Sequence, residues 1–281
     1  IMNILKTKLI LVEGIPGSGK STFAKRIADF YIESSLQPNL YNEGGFHPAD
    51  LAWNACIPIK ILDSVLAPYN SFRDEIDRNM HIENGHAIIS YTHVKTENKA
   101  FFENMESYEV YDNRLPFELF ASLHRKRWNA FGLQAKQKDE LTIFECAFLQ
   151  NHVSELMLFQ LADANTMKQY FDRLIQTVSD LSPVLVYLSQ ANVRDTIERV
   201  AEQRVFEGGT WIDGFIQYIE NTPYGKSHNI KGLEGTIQVL EKRQYIELEI
   251  LNSLPIQTII LKNSDYNWEK LWDSLKNKLP V

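Results

Sequence analysis

Four short aliphatic runs punctuate the chain, each bounded by polar residues, glycine or proline: Leu9-Ile10-Leu11-Val12, Leu141-Thr142-Ile143-Phe144, Pro183 to Leu188 and Ile256 to Leu261. Apolar runs of this length, with no polar alternation, predict strands buried on both faces, as in a parallel sheet. Between them the apolar period lengthens. Phe23, Ile27 and Phe30, with Ala24 and Tyr31 beside them, recur three and four apart and predict an amphipathic helix that starts at Lys20 and stops before Pro38. Asn39 to Glu43 predicts a short second strand, closed by Gly44-Gly45. Met167, Tyr170, Phe171, Leu174, Val178 and Leu181 place a helix over Asn165–Leu181. Val193, Ile197 and Val200 mark another helix, Leu233 to Leu254 a longer one, and Trp268 to Leu279 the last. Strands alternating with helices predict an α/β fold built on a five-stranded parallel sheet.

Between the second and third predicted strands, Phe46 to Asp139 reads as mainly helical. Its best helix is Pro116 to Phe131, and Ala87 to Tyr91 is a short extended piece. No low-complexity linker sets this stretch apart. The expected organisation is therefore a single domain over residues 1–281 with a helical insertion at 46–139 that forms a substrate cap.

Composition narrows the class. Hydrophobic residues make up 44% and charged residues 23% of the 281, which excludes a disordered, collagen-like or coiled-coil chain. Lys plus Arg is 29 and Asp plus Glu is 36, so the net charge is −7, without the basic field of a dedicated nucleic-acid binder. Cys56 and Cys146 stand far apart, which argues against a disulfide scaffold or a structural zinc site and fits a reducing compartment. No apolar run approaches the ~20 residues that span a bilayer. The segment Ile1 to Lys8 and the short run after it read as a first strand rather than a signal peptide. A soluble cytoplasmic protein is the expectation, with neither nucleic acid nor membrane as a partner.

The chemistry is concentrated between the first strand and the first helix. Gly14-Ile15-Pro16-Gly17-Ser18-Gly19-Lys20-Ser21 matches G-x-x-x-x-G-K-[ST] at every fixed position. Glycines let the backbone take positive φ and turn successive N–H groups into one concavity, while the positive end of the next helix favours phosphate. The spacing places Lys20 on the β- and γ-phosphates of ATP and the Ser21 hydroxyl on Mg²⁺, with Gly14, Pro16, Gly17, Ser18, Gly19 and Thr22 completing the nucleotide cradle. A chance match in a chain of this length is roughly a one-per-cent event. No N/T-K-x-D motif of a GTPase follows, and no strand closes on paired acids as in motor ATPases.

One strand closes on a single acid. Leu141-Thr142-Ile143-Phe144-Glu145, together with the phosphate-loop motif, resembles the P-loop kinases of the nucleoside and nucleotide kinase group, which includes thymidylate kinases and deoxynucleoside kinases. The resemblance implies a three-layer P-loop NTPase fold. It also implies that Glu145 helps to hold Mg²⁺; here Cys146-Ala147 stand where the relatives continue with an arginine and a serine. Glu43, at the end of the second strand with Trp53 a few residues on, resembles the glutamate that accepts the proton of the attacking hydroxyl in deoxynucleoside kinases. Arg199 and Arg204, on the helix after the fourth strand and just beyond it, occupy the place of the lid arginines that neutralise the transferring phosphoryl. Their spacing is five where four is usual. Glu43 and Glu145 are both candidates for the base, and Arg199 and Arg204 both candidates for the lid role.

Other features carry less. Asp50 after Pro48 would complement a helix N-terminus, and His47 lies in a polar turn. Arg125-Lys126-Arg127-Trp128 reads as a solvated helix face over a packed tryptophan. Asn263 to Asn267 follows the fifth strand, where related kinases pack the adenine. The expected activity is an ATP- and Mg²⁺-dependent phosphotransferase with a small-molecule acceptor, possible acceptors including nucleosides and nucleotides. The alternative is a nucleotide-dependent regulatory or binding ATPase without such an acceptor.

Overall fold

Each aliphatic run forms a strand, but only the first three are buried on both faces; the last, at the sheet edge, alternates buried and exposed residues, with Ile260 exposed. The computed structural model describes residues 6–43, 47–138, 140–206, 209–263 and 265–280. Among these, the strands are β1 (Leu9–Gly14), β2 (Asn39–Tyr41), β3 (Ala55–Pro58), β4 (Met80–Glu83), β5 (His86–Ile89), β6 (Thr142–Glu145), β7 (Val184–Ser189), β8 (Val205–Phe206), β9 (Gly209–Thr210) and β10 (Gln257–Lys262). The chain divides into two compact units, Ile1–Pro48 with Trp128–Val281, and Ala49–Arg127.

The first unit holds an all-parallel sheet in the order β10-β7-β1-β6-β2. Alternate strand residues point to opposite faces. Ile10, Val12, Val186, Leu188, Ile259 and Leu261 pack with Phe23 and Ile27 of the Lys20–Glu33 helix and with Leu271 and Leu275 of the Trp268–Lys276 helix. Tyr187, one position out of step, instead reaches Glu247 on the Gly232–Ser253 helix. Helices thus cover both faces, and β1 and β7 are buried nearly end to end. At the glycine loop, Ile15 packs with Val193 and Ile197 of the Val193–Gln203 helix and with Ile237 and Leu240.

Connections leave neighbouring strands in opposite senses. The chain goes from β1 past β6 to the edge strand β2, whereas from β6 it crosses β1 to reach β7. The carboxyl ends of β1 and β6 therefore flank the position at which open α/β sheets bind ligands. Residues 14 and 145 lie there.

Several boundaries differ from expectation. β2 stops at Tyr41, leaving Glu43 in an exposed turn; Gly44, Gly45 and Phe46 lie outside the described residues. The Asn165–Leu181 helix ends as Ala164–Gln176, and a separate 3-10 turn carries Leu181. The second unit is not purely helical. It contains an antiparallel sheet in the order β3-β5-β4, of which the sequence pattern indicates only part of β5. Asn84 and Gly85, at φ 51° and 74°, form the two-residue turn between β4 and β5. An Asn-Gly pair is the residue choice that such a turn demands. Ala55, Ile57, Ile76, Ala87, Ile89, Phe101 and Met105 form this unit's own core. The Phe117–Gln137 helix runs across the boundary between units, so Trp128 belongs to the first and packs edge-on against Phe144 and Phe148. No described helix is long and apolar enough to cross a membrane.

Candidate functional site

The loop from Gly14 to Gly19 turns through positive φ at three glycines, Gly14 at 149°, Gly17 at 79° and Gly19 at 96°. Its surroundings require glycine as much as its dihedrals do. A Cβ at Gly17 would sit 2.1 Å from Val200 Cγ2, and one at Gly19 would sit 2.5 Å from the Trp268 ring. Two side chains brace the outside of the loop. Asn263 Nδ2 donates to the Ser18 carbonyl at 2.7 Å, and the Tyr266 hydroxyl donates to the Gly17 carbonyl at 3.1 Å. The helix that follows begins at Lys20 with no side-chain cap and no acid in its first turn, an arrangement that can receive an anion. Lys20 is buried and folds back on the loop, its Nζ donating to the Ile15 carbonyl at 2.9 Å. Pro16 is half-buried and Thr22 exposed.

Ser21 opens toward the end of β6. Its Oγ donates to Glu145 Oε1 at 2.9 Å across 124 residues of sequence. Glu145 Oε2 accepts the backbone N–H of Glu43 at 3.0 Å, so one buried carboxylate ties the first helix to the turn after β2. The Glu43 side chain is held in turn by Gln150, whose Nε2 donates to Glu43 Oε1 at 2.5 Å. Ligand atoms of Glu43, Glu145 and Cys146 all lie within 4.8 Å of one another. Two carboxylates and a hydroxyl are hard oxygen donors suited to Mg²⁺. Burial pushes the Cys146 thiol well above its ordinary pKa, so it stays protonated and donates to Glu145 Oε1 rather than acting as a soft ligand. Cys146 itself turns the chain at φ 66° directly after the strand.

A further acid lies beneath these groups. Glu13, the last side chain of β1, is fully buried and accepts the backbone N–H of Phe148 at 2.7 Å and of Gln150 at 3.2 Å. Burial raises its carboxyl to about 8, against the lowering effect of those amides, and the nearby Glu247 adds to the rise. Glu247 accepts from Tyr187 Oη at 2.6 Å and from Arg243 Nε at 2.7 Å. In the sequence Glu13 marks only a strand boundary. An ionisable residue closing an otherwise aliphatic, doubly buried strand was the available signal.

The remaining candidates separate. The Arg199 guanidinium lies 3.7 Å from the centre of the Tyr266 ring, next in sequence to the Val200 that meets Gly17. Arg204 is exposed past the end of its helix, 5.3 Å from the Trp211 ring. No helix follows Pro48, so Asp50 caps none; it is buried and accepts from the Leu51 amide and the Tyr111 hydroxyl within the second unit. His47 packs its ring 4.2 Å from Phe144. Arg127 meets His81 at 2.6 Å on the second unit's surface.

No protein-family model matches this chain, and no curated protein matches its sequence.

Proposed function

We propose that the chain is an ATP-dependent phosphotransferase that moves the γ-phosphoryl of Mg·ATP to a hydroxyl or phosphate of a small molecule, with nucleosides and nucleotides among the candidate acceptors. The observation that carries this reading is the convergence of the Ser21 hydroxyl and the Glu43 backbone N–H on the Glu145 carboxylate, beside a loop with three positive-φ glycines. In this reading the sheet is a three-layer P-loop NTPase core and Gly14 to Thr22 is its phosphate-binding loop.

Mg·ATP supplies the transferable phosphoryl group and the cation that offsets its charge. The backbone amides of residues 17–21 would hold the phosphates, and Lys20 would exchange the Ile15 carbonyl for phosphate oxygens. Ser21 and Glu145 would hold the cation. Glu43, exposed at the rim of the same group, would accept the proton of the acceptor hydroxyl at its carboxylate. Arg199, one residue from the loop contact, is placed better than Arg204 to offset charge on the transferred group.

The test is transfer of labelled γ-phosphate across an acceptor panel, with binding of a fluorescent ATP analogue measured in parallel. Lys20→Ala should lower nucleotide affinity or turnover by about 10²–10³-fold, the usual effect of removing one preorganised charge donor. Wild-type behaviour of that variant in both assays would sink the assignment.

A further inference from the structure

A glutamate on an exposed turn beyond a three-residue edge strand has many rotamers, and a proton acceptor must have one. The Glu43 main chain is fixed by its N–H bond to Glu145, but that bond does not orient the carboxylate. We propose that Gln150 is the positioning residue for Glu43; this rests on Glu43 being the proton acceptor of the proposed phosphotransferase.

Gln150 is suited to that role because its own backbone is locked at both ends. Its N–H donates to Glu13 Oε2 at 3.2 Å, and its carbonyl accepts from Ser154 Oγ at 2.8 Å. Ser154 Oγ accepts in turn from Arg243 Nη1 at 3.3 Å. Arg243 is itself clamped by Glu247, which also receives the Tyr187 hydroxyl. Glu13, Tyr187, Arg243 and Glu247 are all buried, so β1, β7 and the Gly232–Ser253 helix together form a rigid footing for one short helical turn. What projects from this footing toward Glu43 is a single amide.

The orientation of that amide is decided by Glu43. Nε2 donates to the carboxylate, while Oε1 is buried without a donor among the described residues. Flipping the amide would set two oxygens against each other at 2.5 Å and would satisfy nothing on the other side. In this orientation Gln150 directs an N–H, and not an oxygen, at the Glu43 carboxylate.

The contact can be tested without any knowledge of the acceptor. Gln150→Met keeps the side-chain volume and both backbone anchors, and Glu43→Ala alters an exposed turn. A thermal double-mutant cycle of the full chain should show coupling, the double variant losing clearly less Tm than the two single losses added. Additive losses would overturn the proposal, whatever the enzyme does. The second readout is hydrolysis of Mg·ATP, with water as the acceptor always present. Gln150→Met should lower kcat by about 10–100-fold and leave KM for ATP within about two-fold, because a misaimed base affects the chemical step and not nucleotide binding. A wild-type kcat, or a rise in KM instead, would overturn the positioning role. If Glu43→Ala retains full turnover while the cycle still shows coupling, the proton-acceptor reading falls and takes the catalytic meaning of the contact with it, although the contact itself stands.

Discussion

At the scale of single residues, the glycines of the loop show how packing and backbone geometry can demand the same residue for separate reasons. Gly17 has φ 79°, where any side chain is strained, and its missing Cβ leaves the space that Val200 occupies. Gly17→Ala should cost about 1–2 kcal/mol for the left-handed backbone and roughly 1–3 more for overpacking. Val200→Ala alone should cost about 1.5–3 kcal/mol for the lost burial, so the overpacking share appears as coupling, the double variant losing less than the two single losses added. Urea unfolding of the three variants checks this, and additive losses would show that Val200 is not what the loop presses on. The glycine positions were legible in the sequence because the spacing rule is local. In the sequence Gln150, with Asn151 and His152, opens the helix expected after Glu145. It faces the acceptor side if that helix starts there, but its partners are not visible. Its partners lie 137 residues upstream at Glu13 and 107 at Glu43, and no local pattern announces a contact of that range.

At the scale of elements, the sheet was legible and its supports were less so. Aliphatic strands declare themselves because burial leaves them few polar residues; β1, β6, β7 and β10 fall within a residue or two of expectation, although the edge strand β10 alternates buried and exposed positions. The antiparallel sheet of the second unit has four-residue strands with mixed faces, and an exposed Ile82 breaks their pattern. Its Asn84-Gly85 turn was the signal to use. The segment after β10 also has a job that periodicity does not show. Tyr266 bonds the loop at Gly17 and carries Arg199 on its ring, joining two elements to the glycine loop. Tyr266→Phe should lose only the hydroxyl bond, about 0.5–1.5 kcal/mol, whereas Tyr266→Ala should also lose a cation–π contact of about 0.5–1 kcal/mol. A double-mutant cycle between Arg199→Ala and Tyr266→Ala should return that second amount. Zero coupling would mean that Arg199 merely rests against the ring, free for other work at no cost.

At the scale of the molecule, the buried acids make stability depend on pH in an unusual direction. A carboxylate that is salt-bridged in the fold stabilises at high pH, but Glu13 behaves in the opposite way. Its carboxyl rises from 4.5 to about 8 in the folded chain because burial penalises the charge. Between those values the folded chain holds a proton that the unfolded chain has released. Stability therefore falls as pH rises across that interval, and levels off above it. A tenfold difference in proton affinity between the folded and unfolded chains is worth about 1.4 kcal/mol, so the full effect is on the order of several kcal/mol. Glu109, raised to about 7 by burial with Tyr91 bonding partly opposing, adds a component of the same sign from the second unit. Glu13→Gln should remove the larger component and leave that of Glu109. The variant gives up one of the two amide bonds at Phe148 and Gln150, so it should be less stable than wild type near pH 5 and should close the gap, or overtake, near pH 8.5. Urea denaturation at both pH values decides the matter. Parallel losses in the two proteins would show that Glu13 is ionised in the fold throughout, its charge carried by the helical amides at Phe148 and Gln150 rather than expelled by burial.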